Sequence, residues 1–362
     1  MIHFVVGTRA QLFKLAPVMV ECERRGLAWR WVHTAQHRET FASTLELFDL
    51  PLADHTVVDW NTEAKTLSRM ATWTARMTWA LAQSKRVLAG QVGPEHMVVT
   101  HGDTTSTVFG ALFGRITRTP VMHVESGLRS HTLWEPFPEE INRLMTFRLS
   151  SHFACPGPDA VANVARYGGV MIDTVENTQV DVLRHGLARL DGASIEVPDS
   201  AYAVMSFHRV ENLFKRRRLE ALVAIVERVA QQFTVVIPQH PVTAKRLEQS
   251  GLTTRLAAHH NIELLPRLDY LDFLSLIDGS EFVMTDGGGN QEELRLLGKP
   301  TLLLREVTER ADGLGHNAVI SRLDQRVIAD FVENYEQYRQ PPFTDAVSPS
   351  SIVVDALASF GR

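Results

Sequence analysis

The stretch MVVTHGDTTSTVFGALFGRITRTPVMHVE, residues 97–125, carries the reading of the fold. It opens with a short apolar run, Met97 to His101, and turns through Gly102-Asp103-Thr104. A longer amphipathic segment follows, and a second apolar run, Val121 to Val124, stops at Glu125. Short, long, short in this pattern reads as strand, helix and parallel strand, because a crossover helix is what brings the second strand alongside the first in the same direction.

The same alternation extends backwards to Ile2 to Val6 and Trp29 to His33, and forwards to His152 to Ala154 and Met171 to Val175. A polar, proline-containing stretch at Gly192 to Ser200 then interrupts it. A second series follows at Tyr202 to Phe207, Thr234 to Ile237, Ile262 to Leu265, Glu281 to Thr285 and Thr301 to Leu304. The expected fold class is α/β, with two doubly wound Rossmann-like domains facing a central cleft. Residues 1–168 with a closing helix in 348–362 are assigned to the first domain and 169–347 to the second.

With 362 residues, 44% apolar and 22% charged, the chain has material for two cores. A net charge of −5 with interspersed signs gives no footprint for nucleic acid, and the dense run Lys215 to Arg218 reads as a solvated helix face. Cys22 and Cys155 sit in apolar contexts, which speaks against disulfides and cysteine metal sites and fits a reducing cytoplasm. No window reaches the roughly 18 to 20 apolar residues of a membrane span, so no membrane insertion is expected.

In open α/β sheets ligands bind beyond the carboxyl ends of the strands, and most polar motifs fall there. Gly7-Thr8-Arg9 with Lys14 follows the first strand and suits a phosphate or sugar. Asp103 is either the N-cap of the next helix or a catalytic carboxylate. Glu125, directly after an apolar strand, needs a partner or a task. Glu139 opens a helix after a proline-fixed loop, at a spacing that permits an ion pair with Arg143. His208 follows the first strand of the second domain, where a histidine can act as acid, base or phosphate ligand. Gln36 and Glu39, in a polar cluster after a strand, and His240 after another strand are weaker candidates.

The segment Asp286-Gly287-Gly288-Gly289-Asn290 precedes Gln291-Glu292-Glu293, so its backbone can approach a pyrophosphate while a carboxylate one turn on reaches a ribose. No Walker A motif, no Gly-x-Gly-x-x-Gly after the first strand and no Cys-x-x-Cys pair occurs. Neither a cofactor nor a metal is expected.

Taken in order, GTRAQLFKLAPV, TAQHRE, HGDTTST, HVESGLRS, PFPEEINR, FHRVEN, TDGGGNQEE and LGKPTLLLREVTER resemble the bacterial UDP-N-acetylglucosamine 2-epimerases, across nearly the whole chain. The resemblance implies a GT-B-like glycosyltransferase/epimerase architecture, a UDP-sugar substrate and a homodimer. It implies Asp103, Glu125 and Glu139 as acid/base carboxylates, with Arg9, Lys14, Arg143 and His208 around the substrate and His208 among the catalytic set. It further implies Gly287, Gly288 and Gly289 on the diphosphate, Glu293 on the ribose, the Pro266 to Phe273 segment on the uracil, and Arg305 in substrate binding. Gln36, Glu39 and His240 match the region that binds a second, activating substrate molecule in some non-hydrolysing members.

Departures from the family pattern lie at Arg9-Ala10-Gln11, where Arg-Pro-Glu is usual, and at Gly287 to Asn290, where Ser-Gly-Gly-Ile is usual. Others lie at Ala311, where proline is usual, and along Asp312 to Asn317. His208-Arg209-Val210-Glu211-Asn212 is similar to the non-hydrolysing type. A hydrolysing relative, a glycosyltransferase on the same architecture and a sugar-nucleotide sensor stand as alternatives.

Overall fold

The computed structural model describes residues 1–36, 41–58, 67–133, 137–308, 311–343 and 347–360. The chain divides into two compact units, Met1–His185 with Val347–Arg362, and Gly186–Ala346.

The first unit is built on strands β1 (Ile2–Val6), β2 (Trp29–His33), β3 (His55–Thr56), β4 (Met97–His101), β5 (Val121–Val124), β6 (His152–Cys155) and β7 (Val170–Asp173), in the order β3-β2-β1-β4-β5-β6-β7. All pairings are parallel. β1 and β4 are buried along their whole length, which is why they are mostly apolar and do not alternate. Helices cover both faces, and side chains such as Leu12, Leu15, Trp73, Phe113 and Phe147 are fully enclosed. Each such residue contributes about 1.5–3 kcal/mol of transfer free energy.

The second unit carries β8 (Tyr202–Ser206), β9 (Thr234–Pro238), β10 (Ile262–Leu265), β11 (Phe282–Thr285), β12 (Thr301–Leu303) and β13 (Ala318–Ile320), in the order β10-β9-β8-β11-β12-β13, again all parallel. Its core joins Met205, Phe207, Leu222, Val226, Ile237, Phe282, Met284 and Phe331.

The expected boundary after residue 168 is corrected. β7 hydrogen-bonds to the first sheet, Val170 N–H donating to the Ser151 carbonyl at 2.9 Å, and it runs in register with β6. The following helix, Gln179–Leu187, is also tied to the first unit: Asp181 accepts from Ser350 N–H at 2.8 Å, and the His185 ring stacks on Phe48. The chain therefore leaves the first unit only after His185. The closing helix, Pro349–Phe360, packs on the helix Arg9–Arg24, where Ser351 Oγ donates to Glu21 at 3.2 Å and Asp355 pairs with Arg25.

In each sheet the strand order reverses once, between β1 and β4 in the first and between β8 and β11 in the second. The loops leaving adjacent strands there diverge to opposite faces and open a crevice at the carboxyl ends. Both crevices coincide with the polar motifs.

Candidate active site

In the first unit, Gly7 lets the turn after β1 lie against the next crossover helix, because a Cβ there would stand 1.9 Å from Ser106 Oγ. Thr8 caps the helix Arg9–Arg24 in a reciprocal box with Gln11, whose Oε1 accepts from Gly7 and Thr8 N–H at 2.9 and 3.2 Å. Gln11 Nε2 donates to the His101 carbonyl at 2.7 Å and to Thr107 Oγ1 at 2.9 Å, joining the loops after β1 and β4.

The helix Thr105–Thr117 is capped by Thr104, not by Asp103, so the Asp103 carboxylate is left for other work. Its Oδ2 lies 2.6 Å from Arg143 Nη2. Burial pushes the Asp103 carboxyl up from its ordinary value; Arg143 opposes this, and the nearby Glu125 and Glu139 carboxylates reinforce it. Those mutual effects place the three acidic residues in one cluster.

Glu125 follows β5 with φ +59°, a left-handed conformation uncommon for a residue with a side chain. Its Oε1 accepts from Lys14 Nζ at 2.9 Å and Asn177 Nδ2 at 2.6 Å, and its Oε2 lies 3.1 Å from His101 Nε2. The loop beneath it is pinned by His123, which burial holds down at about 4 and therefore neutral. His123 Nε2–H donates to the Gly102 carbonyl at 2.7 Å, and Ser126 Oγ–H donates to Nδ1 at 3.0 Å.

Glu139 begins the helix Glu139–Leu149, and its Oε2 is sealed from solvent with no hydrogen-bond partner among the described residues. An orphaned buried carboxylate oxygen is costly. The expected Glu139–Arg143 pair does not form. Arg143 instead bridges Asp103 and Glu140, the latter at 3.3 Å, because Pro138 at the N-cap sets the helix phase so that Glu140 points inward. Glu140 is fully enclosed; burial alone would raise its pKa, but Arg129 and the Ser130 N–H hold it below the ordinary carboxylate range.

Of the other first-unit candidates, Arg9 donates to Ser43 Oγ at 3.3 Å. Gln36 Oε1 accepts from Ser106 N–H at 3.0 Å and Ser106 Oγ at 2.8 Å, steadying the start of the helix Thr105–Thr117. Glu39 lies outside the described residues.

In the second unit Asp286 is completely enclosed. Oδ1 accepts from His208 N–H at 2.9 Å, and Oδ2 from Arg209 N–H at 3.0 Å and Asn212 Nδ2 at 2.8 Å. Its carbonyl takes Arg305 Nε at 2.8 Å. Through its carboxylate and its backbone carbonyl this one residue thus stitches together the loops after β8, β11 and β12. Arg305, expected at the substrate, is 5% exposed and also donates to Thr308 at 2.9 Å.

The helix Gly288–Leu297 starts from Gly287, an N-cap with no side chain to bond the first turn, and a Cβ at Gly289 would meet nothing within 4 Å. Gly287 itself is overlain by His208, whose Cε1 would be 3.0 Å from an added Cβ. Asn290 donates weakly to Ser206 and Thr285, at 3.4 and 3.3 Å. His208 is 44% exposed, and its ring lies 5.8 Å from that of His240, whose Nδ1 caps the helix Pro241–Gln249. Glu293 is buried against the phenol of Tyr270, and burial with that carboxylate pushes the Tyr270 pKa well up. Pro266 is exposed, and Phe273 is half-buried on the helix Tyr270–Gly279 that Tyr270 begins.

Sequence reasoning missed Asn177, Arg129, Tyr270 and the inward roles of Glu140 and Asp286. Only Asn177 left a local signal, as Asn-Thr-Gln at a helix start.

Two doubly wound parallel sheets, with a cluster of three carboxylates at one switch point and a glycine-rich helix start at the other, make this a two-domain α/β protein of GT-B-like fold. The sequence model of the UDP-N-acetylglucosamine 2-epimerase family matches residues 20–352, and the chain belongs to this family. The UDP-N-acetylglucosamine 2-epimerase of Bacillus subtilis is 30% identical over 377 residues, covering 99% of this chain and 95% of the relative. That of Methanocaldococcus jannaschii is 29% identical over 380 residues, covering 100% and 99%. The crystal structure of the Neisseria meningitidis enzyme bound to UDP-GlcNAc superposes with a TM-score of 0.77 at 27% identity, covering 99% of each chain. The M. jannaschii structure gives 0.79 at 26% identity, again covering 99% of each.

Proposed function

We propose that the protein interconverts UDP-N-acetylglucosamine and UDP-N-acetylmannosamine by eliminating and re-adding UDP, without net hydrolysis. The observation that carries this reading is the cluster of Asp103, Glu125 and Glu139, because inversion at an unactivated carbon needs acid/base groups on both faces of the ring.

Glu125, which accepts from the Lys14 ammonium and the Asn177 amide, is assigned the C2 proton. As that proton moves to Glu125, the C–H electrons form a double bond to the anomeric carbon. The bond from that carbon to the diphosphate oxygen breaks, and its electron pair departs with UDP, giving a 2-acetamidoglucal. In re-addition the diphosphate oxygen attacks the anomeric carbon while C2 takes a proton on the opposite face. Asp103, whose burial favours the protonated form, is assigned as that donor. Glu139 completes the acid/base set. Recognition of the nucleotide is assigned to the second unit, where Gly288 and Gly289 offer N–H groups to the diphosphate and Glu293 accepts from the ribose.

The test is turnover of UDP-N-acetylglucosamine in deuterated water, followed by NMR. The expected product is UDP-N-acetylmannosamine deuterated at C2. Free N-acetylmannosamine as the main product would replace this reading with hydrolysis, and binding without exchange would leave a sensor.

A further inference from the structure

Glu125 is held by a residue that the sequence motifs do not contain. Asn177 follows β7, and its Oδ1 accepts from Gln179 N–H at 3.2 Å, in the manner of a cap on the helix Gln179–Leu187. That bond fixes which end of the carboxamide is which: with the oxygen committed to the backbone, the NH2 group must face Glu125, where Nδ2 lies 2.6 Å from Oε1. Asn177 therefore does two separable jobs, capping a helix with its oxygen and donating to the carboxylate with its nitrogen.

We propose that Asn177 is a positioning residue for the proton-transfer step, orienting Glu125 and keeping it in its proton-accepting form. The inference rests on the reading of Glu125 as the group that handles the C2 proton. The charged and titratable neighbours of that carboxylate include Lys14 from the helix Arg9–Arg24, His101 at the end of β4, Asp103 from the loop that follows it, and His123 from β5; Glu139 and Arg143 act on the same cluster through Asp103. Lys14 and Asn177 share Oε1, so losing the amide leaves the ammonium as the donor to that oxygen and lets the carboxyl turn.

Asn177→Asp separates the two jobs. Aspartate caps a helix as well as asparagine does, but it places an oxygen where the amide nitrogen was, against Glu125. Two carboxyls at that separation share a proton, and the pair titrates with one value raised. The acid limb of the kcat profile is expected to move to higher pH. Turnover and C2 deuterium exchange near pH 7 should fall by roughly 10², the scale of lost general base catalysis, with partial recovery as pH rises. The Kd for UDP and the melting temperature should stay near the wild-type values. Asn177→Ser, which keeps a capping oxygen but cannot reach Glu125, is expected to lose about tenfold in kcat with an unmoved acid limb.

A wild-type pH profile and rate in Asn177→Asp would overturn the proposal, as would an equal, pH-independent loss in both variants. Absence of C2 exchange in the wild-type protein would instead overturn the epimerase reading beneath it. Exchange in the wild type with no response to either variant would overturn the role of Asn177 alone.

Discussion

Replacing Asp286 by Asn tests whether the anion-binding end of the second unit is assembled by one internal carboxylate. Three donors converge on that side chain, His208 N–H at 2.9 Å, Arg209 N–H at 3.0 Å and Asn212 Nδ2 at 2.8 Å. Hydrogen bonds to a charged acceptor contribute about 1.5–3 kcal/mol each, and a buried donor left unpaired costs about 1–3 kcal/mol. Asparagine keeps one acceptor oxygen, so either the single donor on the Oδ1 side or the pair on the Oδ2 side faces its NH2 group. Relief of the burial cost of the charge offsets part of the loss. A net destabilisation of about 3 kcal/mol is expected, since breaking one side of a buried ionic network leaves its donors uncompensated.

For a domain of this size each kcal/mol moves the midpoint by about 2–4 °C, so the transition of the second unit should fall by roughly 6–12 °C in scanning calorimetry. Because His208 and Arg209 hang from the same carboxylate, UDP affinity should fall in parallel while the transition of the first unit stays in place. A shift below about 2 °C would refute the reasoning, since that is less than one lost hydrogen bond to a charged group.

Asp103→Asn, Glu125→Gln and Glu139→Gln are each expected to cut turnover by roughly 10² or more while UDP still binds; near-normal rates in all three would remove their assigned roles. His123 titrates at about 4 in the fold against an ordinary 6.5. The unfolded chain therefore binds more protons between these values, and stability rises with pH across that window. This histidine alone should contribute about 3 kcal/mol that is present above pH 6.5 and lost on acidification towards pH 4. His123→Gln should flatten the dependence of the urea midpoint on pH there, and an unchanged slope would contradict the buried neutral state. Gly127→Ala puts a Cβ 2.0 Å from the Ala160 carbonyl oxygen at φ +86°, and both effects should combine to destabilise the first unit by about 2–5 kcal/mol, read as a lowered melting temperature.

The strands were legible because short runs rich in apolar and β-branched residues stand out between longer amphipathic ones, and β1, β2, β4, β5 and β10 begin and end where the sequence predicts. β3, two residues long, and β13, three residues long, escaped because edge pieces of that length carry no periodicity. Within the site, Asp103 and Glu125 stand out in the sequence because one lies two residues past the buried strand β4 and the other directly follows β5. Their partners do not: Asn177 is 52 positions from Glu125 and reaches it only through the order of β5, β6 and β7. The roles of Glu139 and Glu140 depend on helix phase, which the proline-rich loop leaves undetermined until Pro138 is seen at the N-cap.

The two switch points share a topology and differ in how their crossover helices are capped. At the first switch point Thr8 and Thr104 occupy the N-caps, and each accepts one first-turn N–H, from Gln11 and Thr107 respectively. Capping there falls to hydroxyls, and the Asp103 carboxylate is spared from it. At the second switch point the N-cap is Gly287, which has no side chain, and the carboxylate that could have capped, Asp286, is turned inward to His208, Arg209 and Asn212. The N–H groups of that helix start are consequently open, and the site favours a negatively charged ligand. A single change, Gly287→Ser, tests the logic: the hydroxyl would bond the first turn while its Cβ crowds His208 at 3.0 Å. If the open helix start is what receives the diphosphate, this variant should bind UDP more weakly than the wild type while uridine binding holds. Equal losses for both ligands would mean that the change disturbs the unit as a whole.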